Sequence, residues 1–313
     1  MKAAFYNKYG SADVIEIGEL EKPQILSDGV LVRVYASSVN PVDWKIRSGS
    51  LKLFTGKRFP KGLGFDISGK IVKVGEKVTA YKRGDEVYGK LSGLKNNAQA
   101  EYVSAKADDL ALKPKNINFV EAAAVPSAAL TAYQALLSKG GLAKNSKVLI
   151  NGCSGGVGHF GLQIAKALGA TVTGVCSTKN VALAKELGAN KVIDYKKEKI
   201  VDSELQFDIF FDAVAKQSFG KAKPILKNGG KYITTLPSAS LFLSVISGLL
   251  STKKAKMINV KSNVKDLNHI TKLIEIGKVK PIIEKVYKLE QIQEAHRHSE
   301  TGRVVGKLAV SIN

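Results

Sequence analysis

The segment KVLINGCSGGVGHFGLQIAKALGATVTGVCSTK, residues 147–179, has the pattern of a strand, a glycine-rich turn, a helix and a second strand. Val148–Ile150 is a short apolar run, as expected for a strand that is buried on both faces. Four glycines follow between positions 152 and 158, and the predicted helix ends at Gly169. Because Thr171–Cys176 is again strand-like, the segment predicts a βαβ unit of a parallel sheet.

The glycine turn favours a phosphate ligand. Glycine lets the backbone approach an anion closely, and a helix start adds unpaired N–H groups and the positive end of the helix dipole. A glycine turn alone can also be an ordinary tight connection, but its place between a strand and a helix indicates a dinucleotide site. We expect Gly155, Gly156 and Val157 to approach the pyrophosphate, with Ser154 also binding the cofactor.

The residues after the second strand predict which dinucleotide is bound. NAD sites usually carry Asp or Glu about 20 residues after the glycines, to hold the ribose 2′-hydroxyl. This chain has no carboxylate between Thr171 and Leu183, and Ser177 and Lys179 follow the strand instead. A hydroxyl and a cation suit a 2′-phosphate, so we predict NADPH. The alternative for Lys179 is a solvated position on a lysine-rich surface.

Length and composition indicate a soluble protein of two domains. The chain has 313 residues, and no stretch approaches the roughly 18 apolar residues that a spanning helix requires. The N-terminal segment MKAAFYNKYG lacks the apolar core of a secretory signal. Two cysteines cannot build a disulfide framework, so we expect a cytoplasmic location.

The net charge of +21 is compatible with nucleic acid, an anionic membrane surface or an anionic cofactor. The lysines are scattered, no basic stripe alternates with aromatic residues, and no nucleic-acid motif is present. We therefore expect no nucleic-acid partner and interpret the charge as a lysine-rich surface. Loose attachment to a membrane surface or to nucleic acid is the alternative.

The predicted fold class is α/β, with a β-barrel domain followed by a doubly wound parallel sheet. Residues 1–125 contain short strand patterns separated by Gly and Pro, which is typical of a compact barrel. Pro126 interrupts a helical pattern and marks the boundary. Residues 126–262 alternate strands with helices, and residues 263–313 are expected to return to the first domain.

Individual elements follow from the same patterns. The predicted strands are 30–36, 67–74, 85–88, 191–194, 207–212 and 231–235, with strand-like segments in PIIEKVYKL and GKLAVSI. The predicted helices are two around Pro126, then 179–187 and 263–276. The apolar run 240–250 is too short to span a bilayer. It is expected either at a subunit interface, beside the substrate, or as an ordinary packed helix.

Six segments carry a resemblance to a known family. They are SSVNPVDWKIRSG (37–49), FPKGLGFDISGKIVKVG (59–75), KRGDEVYG (82–89), AAAVPSAALTAYQAL (122–136), INGCSGGVGHFGLQIAK (150–166) and GKVKPIIEKVYKLEQIQEAH (277–296). Together they resemble the zinc-independent quinone oxidoreductase branch of the medium-chain dehydrogenase/reductase superfamily, over essentially the whole chain. The NPVDWK and GGVGH segments are most similar to chloroplast-envelope quinone oxidoreductase-like proteins and their bacterial relatives.

The resemblance implies three regions. These are a GroES-like catalytic domain over 1–125, a Rossmann NADP-binding domain over 126–262 and a C-terminal return over 263–313. It also implies NADPH in the cleft between the domains and a homodimer formed through the Rossmann domain.

The family's zinc enzymes differ from this chain at their metal ligands. Those enzymes place a Cys in the segment that matches 39–43, and Gly-His-Glu where this chain has Gly64-Phe65-Asp66. The lobe of clustered cysteines is also missing, since the chain has only Cys153 and Cys176. We therefore predict no metal. The four histidines are expected to have surface or helix roles rather than ligand roles: His159, His269, His296 and His298.

The expected reaction is hydride transfer from C4 of NADPH to a quinone or to the β-carbon of an α,β-unsaturated carbonyl. Without a Lewis acid, the acceptor has to be electron-poor already. By resemblance, Asn40 and Lys45 are the candidate catalytic residues, with Asn40 donating a hydrogen bond and Lys45 polarising a carbonyl or contacting phosphate. The alternatives are that Asn40 is only a turn residue before Pro41 and that Lys45 is a solvated lysine.

Further candidates surround these. Trp44 and Phe65 are expected to shape an apolar substrate pocket, or else to pack in the core. The resemblance places Thr131, Tyr195 and Leu236 at the cofactor. An enoyl-thioester reductase, or a non-catalytic NADPH-binding protein with affinity for nucleic acid or membranes, remains open as an alternative function.

Overall fold

The computed structural model describes residues 1–93, 97–200, 205–236 and 252–312. The chain divides into two compact units. The first unit comprises 1–130, 261–275 and 281–313, and the second comprises 131–260 and 276–280.

The strands are β1 (Lys2–Tyr6), β2 (Ile15–Glu19), β3 (Gly29–Val39), β4 (Lys61–Gly62), β5 (Asp66–Val74), β6 (Glu86–Lys90), β7 (Tyr102–Lys106), β8 (Leu110–Leu112), β9 (Lys147–Asn151), β10 (Thr171–Cys176), β11 (Lys191–Asp194), β12 (Phe207–Asp212), β13 (Leu226–Thr234), β14 (Lys254–Met257), β15 (Ile283–Lys288) and β16 (Lys307–Ser311). The helices are α1 (Pro41–Arg47), α2 (Lys52–Thr55), α3 (Phe119–Ala123), α4 (Pro126–Gln134), α5 (Gly156–Ala167), α6 (Val181–Glu186), α7 (Phe219–Ala222), α8 (Val264–Glu275) and α9 (Ile292–Glu300).

The first unit is built on two sheets. One has the order β2-β1-β4, and the other has seven strands in the order β15-β16-β3-β5-β6-β8, with β7 also paired to β3. Strand β16 pairs antiparallel with β3, with Val310 opposite Ser37, so the C-terminal residues complete this sheet. The alternation predicted for residues 30–36 is present, since Val32 and Val34 are fully buried while Arg33 is exposed.

The second unit is a six-stranded parallel sheet in the order β11-β10-β9-β12-β13-β14. Numbered from β9, this is the 3-2-1-4-5-6 order of the doubly wound fold, and the Rossmann prediction is confirmed. The strand order reverses at β9, where β10 and β12 lie on either side. Ligands of such sheets bind at the carboxyl ends of the strands beside this reversal.

The two helices predicted around Pro126 are α3 and α4. Pro126 begins α4, because proline lacks only an N–H that a first helical residue leaves unpaired. The helix predicted over 179–187 is a 3₁₀ turn at Thr178–Asn180 followed by α6. The apolar run 240–250 lies outside the described residues. None of the helices within the described ranges is long and apolar enough to cross a membrane.

Candidate functional site

The glycine turn stands at the carboxyl end of β9. The N–H groups of Gly152 and Cys153 both donate to the Val175 carbonyl at 3.0 Å, which fixes the turn against β10. Gly155 is the N-cap of α5, with an extended backbone (φ −83°, ψ 179°). The turn therefore aims the first N–H groups of a twelve-residue helix at the edge of the sheet.

The glycines have different roles. A Cβ on Gly158 would lie 2.0 Å from the Gly152 carbonyl oxygen, so helix and turn approach each other too closely for any side chain. Gly152 has φ +78°, and its Cβ would lie 2.4 Å from Val214. A Cβ on Gly155 meets only one atom, at 3.5 Å. Gly152 and Gly158 therefore shape the turn, while Gly155 leaves room for a ligand, and these residues fit a phosphate group.

The structure brings together the four cofactor-binding residues that were predicted in the glycine turn. Gly155, Gly156 and Val157 form the half-buried start of α5, and Ser154 precedes them in the turn. The Ser154 hydroxyl accepts a 2.8 Å hydrogen bond from the Asn180 side chain. Sequence reasoning missed Asn180, which links the turn to the segment that follows β10.

Ser177 and Lys179 lie directly after β10, half-buried and exposed respectively. The parallel pairing of β10 with β11 sets Cys176 opposite Asp194, so a carboxylate does stand at this edge. The Thr178 hydroxyl hydrogen-bonds to Asp194 and lowers the pKa of this carboxyl, to which the nearby Lys196 and Lys197 contribute. The segment from Thr171 to Leu183 contains no carboxylate, because the carboxylate at this edge comes from the next strand, β11.

Three further predicted cofactor residues lie outside the glycine turn. Tyr195 follows β11, is 53% exposed and donates its N–H to the Cys176 carbonyl at 3.1 Å. Leu236, 41% exposed, comes two residues after β13. Thr131 lies half-buried on α4. Tyr195 and Leu236 thus share the carboxyl edge of the parallel sheet with the glycine turn.

Asp212 links the carboxyl ends of three neighbouring strands at this edge. The sequence pattern did not predict this residue. Its carboxylate is fully buried and accepts hydrogen bonds from the Asn151 side chain at 2.8 Å, the Tyr232 hydroxyl at 2.9 Å and the Gln217 N–H at 2.7 Å. Burial, together with the Asp212 charge, raises the pKa of Tyr232. These bonds connect β9, β12 and β13 beside the glycine turn.

In the first unit, both ends of the Asn40 side-chain amide have partners inside the protein. Its Nδ2 donates to Asp66 Oδ2 at 2.9 Å, and its Oδ1 accepts from Lys307 Nζ at 2.5 Å. Its backbone N–H donates to the Asp43 carboxylate at 2.7 Å, which fixes the start of α1. Asn40 is therefore a fixed part of a buried network, and a role as donor to a substrate stays a prediction.

Asp66 is the centre of this network, which we call the Asp66 cluster: Ser38, Asn40, Asp66, Ser127 and Lys307. All five residues are buried. One Asp66 oxygen accepts from the Ser127 N–H at 2.9 Å and from its hydroxyl at 2.5 Å, and the other accepts from Ser38 at 2.8 Å. The Gly64-Phe65-Asp66 segment therefore supplies a structural acceptor where zinc enzymes of the resembling family carry a ligand.

The charge of the buried Lys307 ammonium is compensated by nearby carboxyl groups of the same unit. Burial lowers the pKa of Lys307, while Asp66 and Asp43 favour its charged form. Burial also raises the pKa of Asp43 to about 7, and the Asp66 charge acts in the same direction. Sequence reasoning missed Lys307, because a lysine in the strand-like segment GKLAVSI gives no local sign of its position.

Trp44 and Lys45 are neighbours on α1. Burial lowers the pKa of Lys45, whose ammonium lies 5.5 Å from the centre of the Trp44 ring. Trp44 Nε1 is buried and has no hydrogen-bond partner among the described residues. Phe65 is only 5% exposed, and the Lys90 ammonium lies 5.2 Å from the centre of its ring.

The histidines and cysteines are placed within elements. His159 is buried in α5, with Nδ1 3.0 Å from the Gly155 carbonyl oxygen. His296 is fully buried on α9, where burial lowers its pKa to about 3. Cys153 and Cys176 are buried free thiols. Over the described ranges, no group of three or more His, Cys, Asp or Glu side chains is placed to hold a metal ion.

The chain matches two known domain families. Residues 27–115 match the alcohol dehydrogenase GroES-like domain, and residues 187–310 match the family called zinc-binding dehydrogenase. A chloroplast envelope quinone oxidoreductase homolog of Arabidopsis thaliana is 34% identical, over 99% of this chain and 98% of its own length. The chain belongs to the medium-chain dehydrogenase/reductase superfamily.

Two further members of this superfamily are similar over the whole chain. The NADPH-dependent alkenal/one oxidoreductase of Arabidopsis thaliana chloroplasts is 36% identical, over 99% of this chain and 79% of its own length. The quinone oxidoreductase structure from Coxiella burnetii superimposes with a TM-score of 0.92 and 30% identity, covering 100% of this chain and 99% of that one. The predicted membership of the superfamily, among quinone oxidoreductase homologues, is confirmed.

Proposed function

We propose that this protein is an NADPH-dependent oxidoreductase that transfers hydride to a quinone or to an α,β-unsaturated carbonyl. The observation that carries the proposal is the glycine turn, whose helix start is open at Gly155 and has cations nearby after β10 and β11. The relatives add the chemistry, since at 34% and 36% identity they are named for quinone and for NADPH-dependent alkenal/one oxidoreduction.

NADPH, when bound, supplies hydride from C4 of its nicotinamide. The N–H groups at the start of α5 bind the pyrophosphate, and Gly155 keeps the space beside them clear. Ser177 and Lys179 hold the 2′-phosphate, and Lys196 and Lys197 add positive charge after β11. Asp194 accepts hydrogen bonds from the Thr178 hydroxyl and the Lys196 N–H, and the charges of Lys196 and Lys197 offset its negative charge at this edge.

A zinc-independent reaction is supported by the chemistry of the Asp66 cluster. Zinc prefers sulfur and imidazole ligands, but the corresponding segments of this chain supply the Asn40 amide and the Asp66 carboxylate. Serine donors and the Lys307 ammonium already occupy those oxygens. The acceptor must then be electron-poor itself. Lys45, whose lowered pKa and half-buried position suit a hydrogen-bond donor, is proposed to polarise its carbonyl.

The proposal is tested by following NADPH and NADH oxidation with four acceptors: a 1,4-quinone, an alkenal, an alkenone and an enoyl-thioester. We expect turnover with the quinone or with the two enones, and NADPH preferred over NADH. Exclusive turnover of the enoyl-thioester would assign the protein to the alternative class of enoyl-thioester reductases. Tight NADPH binding without turnover of any acceptor would show a binding protein instead of an enzyme.

We also propose a homodimer and a cytoplasmic location. The homodimer rests on the family resemblance, and the location rests on two cysteines that are both free thiols. Sedimentation velocity measures the first, and imaging of the tagged protein in its own cell tests the second.

A further inference from the structure

Two large apolar side chains stand exposed side by side on the first unit. Leu53 is 91% exposed and Phe54 is 76% exposed, more than any other large hydrophobic residue in the described ranges. Both belong to α2, a single helical turn. Isolated surface hydrophobics are ordinary, but an adjacent leucine and phenylalanine this exposed mark a surface that contacts something apolar.

The same segment is strongly basic. Residues 44–65 contain six Lys and Arg residues and no Asp or Glu. Lys52, Lys57 and Arg58 are exposed, and none of the three forms an ion pair with a described residue. We call Lys52, Leu53, Phe54, Lys57 and Arg58 the basic apolar tip.

The tip stands on a fixed base. The Tyr9 hydroxyl hydrogen-bonds to the Thr55 hydroxyl at 2.7 Å, and Lys61 Nζ donates to the Thr55 carbonyl at 2.7 Å. The rings of Tyr9 and Phe59 pack edge to face with centres 5.2 Å apart. Because the base is already ordered, Leu53 and Phe54 can enter an apolar phase without first ordering a loop.

We propose that the basic apolar tip docks the protein on an anionic lipid surface. Leu53 and Phe54 enter the boundary between headgroups and acyl chains, while Lys52, Lys57 and Arg58 meet the lipid phosphates. The net charge of +21 adds long-range attraction to such a surface.

The residue types favour lipid over other anionic or apolar partners. Single-stranded nucleic acid is bound by stacking bases on aromatic rings, and the more exposed side chain of the tip is an aliphatic leucine. A second copy of the chain would bring two sets of like charges together at the same contact, which is unfavourable. An anionic bilayer offers both an apolar interior and negative charge. This docking is separate from the proposed reaction and does not depend on it.

Vesicle sedimentation of the full-length protein tests the proposal, with phosphatidylcholine vesicles made with and without phosphatidylglycerol. We expect binding only to the anionic vesicles and release by salt. The Lys52→Glu/Lys57→Glu/Arg58→Glu variant should bind about a hundredfold more weakly, from about fivefold for each cation lost. The Leu53→Ser/Phe54→Ser variant should bind the anionic vesicles at least about tenfold more weakly than the wild type.

Matched control variants exist on the same unit. Leu112→Ser removes another exposed leucine, and Lys73→Glu/Lys77→Glu/Arg83→Glu reverses three other exposed cations. The leucine control should bind like the wild type. The charge control should bind more tightly than the tip charge variant. Thermal unfolding is measured for every variant, and the tip variants should unfold at the wild-type temperature because these side chains are exposed.

Insertion is measured separately by fluorescence quenching with brominated phospholipids. Phe54→Trp should be quenched in anionic vesicles, whereas Leu112→Trp should not. Equal quenching of the two, equal loss of binding in tip and control variants, or no binding of the wild type would overturn the proposal. The proposal would also be overturned if binding to a single-stranded RNA, or self-association, required Leu53 and Phe54 and vesicle binding did not require them.

Discussion

The substitution Gly158→Ala tests whether the glycine turn is the element that binds the cofactor. The new Cβ would lie 2.0 Å from the Gly152 carbonyl oxygen, 2.7 Å from the Gly152 carbonyl carbon and 2.8 Å from Cys153 Cα. All three are backbone atoms, so no side-chain rotation relieves the contact. Ordinary contacts begin at 3.4 Å, and α5 must therefore move about 1.4 Å away from the turn.

This displacement has two measurable consequences. Overpacking of this kind costs about 1–3 kcal/mol, so we expect the free energy of unfolding to fall by about 2 kcal/mol. The helix start also moves away from the pyrophosphate. Losing one charge-assisted hydrogen bond costs about 2 kcal/mol, which corresponds to NADPH binding that is about 30-fold weaker.

Alanine substitutions at two other glycines distinguish a loss of folding stability from a loss of NADPH binding. A Cβ on Gly155 meets the protein only at 3.5 Å, so the Gly155→Ala variant should be as stable as the wild type. Its NADPH binding should nevertheless be weaker, because the new methyl group occupies space that the ligand needs. A Cβ on Gly220, in α7, meets nothing within 4 Å, so Gly220→Ala should change neither property.

Urea unfolding and titration of NADPH fluorescence measure the two quantities for all three variants. Wild-type NADPH affinity in both Gly155→Ala and Gly158→Ala would refute the assignment of the turn. Weak binding in Gly158→Ala alone would indicate that only the fold of the turn, and not its open space, matters for binding.

Three further predictions concern charge. Lys179→Glu should weaken NADPH binding about tenfold or more while NADH binding changes little, and an unchanged ratio of the two dissociation constants would count against the 2′-phosphate contact. Lys307→Met should lower the free energy of unfolding at about pH 8 by about 3 kcal/mol, and by less at about pH 5, where Asp43 takes up a proton because its pKa is raised to about 7; the exposed Lys278→Met is its control. In the wild type, the pKa of Asp43 is raised to about 7, so the folded state binds this proton more tightly than the unfolded state and loses stability as pH rises from about 4 to about 7. Asp43→Asn should flatten this pH dependence in urea unfolding, and an unaltered slope would contradict the raised pKa.

Elements of the second unit could be predicted because their signals are local. Strands buried on both faces are continuous apolar runs, and β10, β11 and β12 have the predicted bounds. The first unit was harder. Strand β4 has only two residues, β2 has mostly exposed residues, and burial does not alternate along β1.

The glycine turn and the Asp66 cluster differ in the same way. The glycine turn is contiguous in sequence because a phosphate is bound by successive backbone N–H groups. The Asp66 cluster depends on distant residues: Lys307 is 267 positions from Asn40, and Ser127 is 61 positions from Asp66. Asp194 likewise reaches the cofactor edge only through the pairing of β11 with β10. Such contacts require the register of the sheets, which the residue pattern does not contain.

The proposed reaction is direct hydride transfer from NADPH to an electron-poor carbon. It is tested by reducing an alkenone with NADPH that carries deuterium at the transferable C4 position, and by locating the label in the product with NMR. We predict deuterium at the β-carbon and a proton from water at the α-carbon. Saturated product without deuterium at the β-carbon would contradict direct hydride transfer, and the absence of any saturated product would contradict the enone reductase activity itself.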